Sequence, residues 1–326
     1  MKKINLLAII SVVFAVLFGT SAFAQAQPAK AAAPAVKVYP KNAIASGDPA
    51  ATYYQVVDQM LKQCNKDSFF NNMAQVGGSP QTISDIMENR VVGGLVQFDV
   101  LWLRANGQPA VRESIKTLIP LHSEQVHVVA LTTNPKSGGF LGYGENVTVL
   151  KDVSALKGLP VAASGGSAYT AEAMNTLGNI GYKLNTNYDS SDAVLKSVED
   201  GQNVAAVFVG GAPMKVIKAL DRKKFRLLPF SKATTDSLKE VYAPSSVLYD
   251  NLSLTGVATV QVPAYFVVNN FKNKTMSAQL KSLRDCVKND INDIAEAENA
   301  HGVWREIAKN FENDVKPRWD MYQPRP

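Results

Sequence analysis

Apolar positions along this chain recur with two periods. Val56, Val57, Met60, Leu61 and Cys64 fall on one face of a helix, and Leu280, Leu283, Cys286 and Val287 repeat that spacing. Ser79-Pro80 opens another helix, a capping residue followed by proline at the first helical position, with Ile83, Ile86 and Met87 on one side. Continuous apolar runs bounded by glycine or polar residues read as buried strands. They are Ala43–Ser46, Val91–Val100, Val126–Leu131, Leu159–Ala163, Val204–Val209, Phe225–Leu228, and one or two within Val257–Val268. Helical segments are expected at Thr170–Leu177, around Met214, Ile217 and Leu220, and from Ser277 to Phe311. Strands alternating with helices of about ten residues imply βαβ units and mainly parallel sheet, an α/β fold. The polar, glycine-rich stretch Asn134–Asn146 follows a strand and is the candidate boundary between two halves of the fold.

The first segment stands outside this pattern. Met1-Lys2-Lys3 is a positive start, Leu6 to Phe18 is an almost unbroken apolar run, and Ala22-Phe23-Ala24 is the small-x-small sequence of a cleavage site. We expect residues 1–24 to be a signal peptide cleaved after Ala24, and residues 25–35 (QAQPAKAAAPA) a flexible linker. The mature protein is then expected in the periplasm, because no later stretch reaches the ~18 apolar residues of a membrane span.

Composition narrows the function by exclusion. The 326 residues are 46% hydrophobic and 19% charged, ordinary for a folded chain of ~2 domains, with a formal net charge of +6. The densest basic cluster, Arg222-Lys223-Lys224, reads as a solvated turn, so no nucleic-acid partner is expected. His122, His127 and His301 form no helical metal pair and read as structural, so neither metal nor cofactor is implied. There is no G-x-S-x-G elbow, no Walker loop and no G-x-G-x-x-G after a strand. A hydrolase built on Ser167 lacks a sequence-visible base, and no enzyme is expected. Cys64 and Cys286 each sit on an apolar helical face; they are either buried thiols of a shared core or a disulfide between two helices.

Three strand-to-helix turns supply chemistry instead: Gly47–Tyr54, Gly77–Pro80 and Ser164–Thr170. Helix N-termini carry unpaired N–H groups and the positive end of the helix dipole, small residues admit a ligand, and hydroxyls add donors. Each turn alone reads more often as ordinary capping. Together, in an exported α/β chain without catalytic apparatus, they point to capture of a small anion-bearing molecule.

The order of these segments resembles the TAXI-type solute-binding proteins of TRAP transporters. The carrying residues are Gly47 with Thr52-Tyr53-Tyr54, then Gly78-Ser79 before a helix, then Gln97-Phe98-Asp99 at the end of a strand. Leu121-His122-Ser123-Glu124-Gln125-Val126-His127, Leu156-Lys157-Gly158, the Gly166-Ser167 turn and Gly211-Ala212-Pro213 continue the resemblance across most of residues 40–310. Two positions depart from it: Ala50-Ala51 replaces a glycine pair before Thr52, and Ala168-Tyr169 follows Gly166-Ser167 where the family has a small pair.

The resemblance implies a type II periplasmic-binding-protein fold, two lobes joined by crossing strands with the ligand cleft between them. Residues 36–131 and 257–326 are assigned to lobe one and 132–256 to lobe two, with crossings at Val126–Leu131 and Val257–Val268. The implied ligand-binding residues are Thr52, Tyr53, Tyr54, Gly78, Ser79, Gln97 and Asp99 from lobe one, and Ser164, Gly166, Ser167, Ala168 and Tyr169 from lobe two. Tyr53 also fits a core position, Asp99 equally caps the next segment, Tyr169 either closes the pocket or packs beside it, and Glu124 is read as structural. The ligand is expected to be a small organic acid or amino acid. Its recipient is a TRAP-type membrane permease or, in the alternative, a sensor kinase.

Overall fold

Two long strands organise the protein. The structure, a computed structural model, describes residues 38–132 and 150–325 except 48, 50, 66 and 71. The expected signal peptide and linker, the stretch 134–146 and Ala50 therefore lie outside the described residues. β1 (Ile44–Ser46), β2 (Met73–Gln75) and β3 (Gly93–Gln97) run parallel to one another. β4 (Ile115–Leu131) and β10 (Val257–Asn269) pair antiparallel down the middle. β5 (Pro160–Ala162), β6 (Lys183–Asn185) and β7 (Ala205–Gly210) form a second parallel set, while β8 (Phe225–Leu227) pairs with β4 and β9 (Ala243–Val247) with β10. The strand order is β2-β1-β3-β10-β4-β7-β5-β6, a mixed α/β fold on one central sheet.

Register brings the two parallel sets head to head. The last residue of β3, Gln97, pairs with Ala264 of β10, and the last residue of β7, Gly210, pairs with Gln125 of β4. Both ladders are antiparallel, as is that between β4 and β10, so β3 and β7 run toward each other. Their C-terminal ends face across a seam near residues 121–125 of β4 and 261–264 of β10. Open α/β sheets bind ligands outside the C-terminal ends of their strands; here two such edges share one site.

Alternation within the strands explains their unbroken apolar sequences. Leu95 and Phe266 pack with Val57, Leu283 and Trp304 on one face, whereas Val96 and Val267 point into a core shared with Val126 and Val207 on the other. Farther along β4 and β7, Val129 and Phe208 join Val198 and Ile217 in a third cluster. Helices cover both faces, so neither parity of residue meets water. Close approach also fixes β3: a Cβ on Gly93 would lie 2.4 Å from the Val267 carbonyl oxygen, and one on Gly94 2.7 Å from the Ala45 Cβ. Two glycines, which weaken a strand taken alone, are here a requirement for its pairing.

Several expectations are corrected. Only Gly93–Gln97 of the run Val91–Val100 is strand; α3 (Phe98–Gly107) begins at once, with Asp99 in its first turn and its Oδ1 accepting from the Val100 amide at 2.8 Å. Val126–Leu131 is the end of a seventeen-residue strand. Its polar interruption, His122 to Gln125, falls where β4 passes the seam and marks no loop. From Gln125 onward β4 is already paired with β7, so the seam lies before the expected crossing at Val126. The C-terminal helical run divides into α9 (Lys274–Asn289), α10 (Ile291–Glu296) and α11 (Val303–Glu312). β9, α4 (Ala110–Ser114) and α8 (Lys232–Ser237) carry too few periodic residues to be read in advance.

Cys64 ends α1 (Thr52–Cys64) and faces Cys286 of α9; their Cα atoms are 5.6 Å apart and the sulfurs form a disulfide. Among the described residues no helix is long and apolar enough to cross a membrane.

Candidate ligand cleft

The seam opens into a cleft of about 630 Å³. Its walls are the segments that leave the C-terminal ends of the strands: Gly47, Ala51, Thr52 and Tyr53 after β1, Val76, Gly78 and Ser79 after β2, and Gln97 at the end of β3. Gly166 and Ser167 follow β5, and Val209–Gly211 with Pro213–Val216 follow β7. Thus Thr52, Tyr53, Gly78, Ser79, Gln97, Gly166 and Ser167, read from scattered turns, are brought to one cavity. Three helices open on it: α1, α2 (Ser79–Met87) and α5 (Gly165–Gly178).

None of these three helices is closed by a side chain. Their N-cap residues are Ala51, Gly78 and Ser164, and none makes a capping hydrogen bond. Gly78 sits at φ +81°, a conformation that disfavours any residue with a side chain able to cap. The hydroxyls inside the first turns are used otherwise: Ser79 Oγ accepts from the Gln97 amide at 3.1 Å, and Ser167 Oγ accepts from the Val209 amide at 3.0 Å. Each ties a helix start to the strand end beside it. The free N–H groups and the dipoles behind them are left facing the cleft.

The floor is acidic. Glu124, on β4 at the level of the seam, lines the cleft although only 6% of its surface is exposed. Its Oε2 accepts from the Tyr53 hydroxyl at 3.1 Å, and its Oε1 lies 3.7 Å from His122 Nε2, too far for a hydrogen bond. Burial, with the Glu124 charge added, pushes the Tyr53 hydroxyl well above its ordinary pKa, so it stays a donor. Gln97 is 4% exposed, and its Oε1 points toward Gly166 across the cleft. Glu124 and Lys215 are the charged side chains among the described residues of the lining. His301, at the α11 end, approaches Thr52 Oγ1 at 3.5 Å; burial first, then the neighbouring His122, lowers its pKa.

Five expected contacts lie elsewhere. Asp99 is fully buried beneath the cleft, where its Oδ2 accepts from Thr170 at 2.7 Å and from Tyr242 at 2.9 Å. Burial raises its pKa to about 6 against the pull of those hydrogen bonds. It braces α3 against α5 and is not in the cleft lining. Ala168 and Tyr169 pack half-buried against the central core and are not in the lining. Tyr54 and Ser164 are not in the lining. Conversely, Glu124 lines the cleft where a structural role was expected, and the Val209–Val216 wall was missed. Each left a sign: four consecutive polar residues, His122 to Gln125, inside an apolar strand, and the pair Gly210-Gly211 at the end of another.

That wall is fastened from behind. The Ala212 amide donates to Gln125 Oε1 at 2.9 Å, and the Met214 amide donates to the Tyr249 hydroxyl at 2.8 Å. Tyr249 in turn meets His127 Nε2 at 2.8 Å. Burial lowers the His127 pKa to about 4, so the ring paired with Tyr249 is neutral, while the Tyr249 hydroxyl accepts from Met214.

No family model and no curated protein matches the sequence. Solved structures do resemble the fold. The ligand-binding core of GluR0 from Nostoc punctiforme, in complex with L-glutamate, is 13% identical, with a TM-score of 0.46 over 82% of this chain and 98% of that one. The arginine-, lysine- and histidine-binding protein ArtJ from Geobacillus stearothermophilus is 13% identical, with a TM-score of 0.45 over 85% of this chain and 97% of that one. The second substrate-binding domain of GlnP from Lactococcus lactis, in its open conformation, is 13% identical, with a TM-score of 0.36 over 84% and 97% respectively.

Proposed function

We propose that this protein is an extracytoplasmic solute-binding protein that captures a small organic acid or amino acid in the seam cleft and delivers it to a TRAP-type membrane permease. The observation that carries capture is the convergence of α1, α2 and α5, each without a side-chain cap, on one cavity between two strand edges. Such ends bind carboxylate through backbone N–H groups without a dedicated cation. The motif order shared with TAXI-type proteins supports the choice of recipient, and the export signal expected at residues 1–24 supports a periplasmic location. The proposed lobes are residues 36–131 with 257–326, and 132–256, and the long strands β4 and β10 serve as the crossings. Pro120 and Pro263 lie near the seam in these strands, where a missing N–H removes one bond from the ladder and eases bending. Closing about them on a bound solute would present the closed form to the permease. Ser167 is held by the Val209 amide and has no hydrogen bond to a histidine or lysine among the described residues, which disfavours a hydrolase.

The test is a thermal-shift screen of protein unfolded and refolded to remove carried ligand, with its disulfide kept oxidised. Amino acids, 2-oxo acids, dicarboxylates and aromatic acids are offered at millimolar concentration. A solute present at 1,000 times its Kd stabilises by about 4 kcal/mol, which is several degrees in Tm for a chain of this length. A flat panel of all four classes overturns the reading.

A further inference from the structure

Two buried carboxylates lie at and below the cleft floor, and neither has a lysine or arginine partner among the described residues. Asp99 is satisfied by three hydrogen bonds. Glu124 is not: it has one hydrogen bond, from Tyr53, and only His122 within ion-pair reach, at 3.7 Å. That imidazole is itself anomalous, fully buried with neither ring nitrogen hydrogen-bonded. A buried anion with so few partners is costly unless something compensates it. The backbone offers no such compensation. Around Glu124 the edge of β4 is taken up by α11, Ser123 donating its amide to Glu306 Oε1 at 2.7 Å and Leu121 accepting from Asn310 Nδ2 at 2.7 Å. Glu124 alone on this stretch turns its acid group to the cavity.

We propose that Glu124 seats the ammonium group of the ligand, so that the cleft selects amino acids over the corresponding 2-oxo acids. The inference rests on the solute-capture reading and sharpens it from "organic acid or amino acid" to the amine-bearing class. The ammonium donates to Glu124 Oε1 and to the Gln97 Oε1 that faces Gly166, while Tyr53 holds Oε2 and fixes the carboxylate's orientation. The ligand's own carboxylate lies against the open ends of α2 and α5. The cleft is thus polarised, with an anion as floor and helix dipoles as walls, which matches a zwitterion and leaves a 2-oxo acid facing Glu124 with a carbonyl oxygen.

The experiment compares matched pairs on the stripped protein: L-glutamate with 2-oxoglutarate, L-leucine with 4-methyl-2-oxopentanoate, L-phenylalanine with phenylpyruvate, and L-alanine with pyruvate. Affinity is read by calorimetry and thermal shift on the wild type, Glu124→Gln and Tyr53→Phe. In the wild type, the amino acid of at least one pair should bind tenfold or more tighter than its 2-oxo partner. Glu124→Gln should reduce that affinity at least tenfold, and Tyr53→Phe by a few-fold. A 2-oxo acid that binds as tightly as its amino partner overturns the inference and leaves solute capture standing. So does an amino acid bound undiminished by Glu124→Gln. The paired comparison on the wild type decides the question even if Glu124→Gln fails to fold. A panel flat for every pair, or stabilisation by calcium or manganese alone, overturns the inference together with capture of these solutes.

Discussion

Helix starts in this protein are built in two ways. α6 (Ser191–Glu199), α8 and α9 lie away from the cleft and are closed by their own side chains: Ser190 Oγ accepts from Ala193 at 3.2 Å, Ser231 Oγ from Thr234 at 3.2 Å, and Asn273 Oδ1 from Met276 at 3.0 Å. α1, α2 and α5 face the cleft, have no such bond, and place alanine, glycine and an unused serine at the cap. A cap contributes about 1 kcal/mol, so each open end forgoes that much stability in the unliganded protein. Open starts are not confined to the cleft, since α4 and α10 also lack side-chain caps; what sets α1, α2 and α5 apart is that their open starts converge on one cavity. The difference also separates stability from binding in space, and each half of that claim can be tested.

The largest effect belongs to the far end of α1. Its start opens on the cleft, but its last residue, Cys64, is joined to Cys286, closing a separation of 222 residues. In the chain-entropy account a loop of that size contributes roughly 5 kcal/mol. Cys64→Ala with Cys286→Ala should therefore lower Tm by ten degrees or more, while the gain in Tm on adding a bound amino acid survives. Loss of that gain with the fold intact would mean that the bond positions Thr52 and Tyr53, and the separation of stability from binding would fail.

Two buried groups, one under each side of the cleft, give the next effect. Asp99, with a pKa of about 6 in the folded protein, keeps its proton at pH values where the unfolded chain has lost it, so its contribution falls as pH rises from 3.8 to 6. Above pH 6 the penalty is constant, on the order of 3 kcal/mol. His127, with a folded pKa of about 4, stays neutral where the unfolded chain is charged, so its contribution is lost as pH falls from 6.5 to 4. The size is again on the order of 3 kcal/mol. The two slopes oppose each other over the same range and largely cancel. Urea unfolding between pH 4 and 7 should show His127→Gln becoming more stable on acidification and Asp99→Asn losing stability more steeply than the wild type. Identical profiles for all three proteins would remove both groups from the account.

Ser167 gives a smaller and more pointed effect. Its hydroxyl serves the Val209 amide, so Ser167→Ala leaves that N–H unpaired and should cost 1–2 kcal/mol, about 2–3 degrees, in the unliganded protein. A hydroxyl reserved for ligand would instead leave the unliganded Tm unchanged and affect binding alone.

What was legible in the sequence follows from the length scale of each signal. The α/β class, the order of the turns and the candidate contacts Thr52, Ser79, Gln97 and Ser167 rest on short local patterns of glycine, hydroxyl and periodic apolar residues. Glu124 was misread because its surroundings, Ser123 and Gln125, look like loop; only the register of β4 against β7 shows a strand crossing a cavity. Asp99 was ambiguous because β3 passes into α3 with no residue between them, and which way its carboxylate faces depends on Thr170 and Tyr242, distant in sequence. Tyr169 followed its neighbours' resemblance into the site, whereas helix geometry places it on the core side of α5.

The last effect is the smallest and bears most directly on the open helix ends. Ala51 already has the extended backbone of a cap residue, φ −93° and ψ 155°, and lacks only the side chain. Ala51→Asp supplies it. The new carboxylate should accept from the first-turn amides of α1, meet the positive end of its dipole and raise the unliganded Tm by about 2 degrees, about 1 kcal/mol. The same carboxylate would occupy the donors offered to a ligand anion and add negative charge to a cleft whose floor is Glu124. Affinity for any carboxylate-bearing solute should then fall as stability rises. Ala51→Ser, which caps without charge, should give much of the stability and less of the loss. If both variants gain stability and bind as the wild type does, the missing cap at α1 is an accident of sequence, and only α2 and α5 hold the anion.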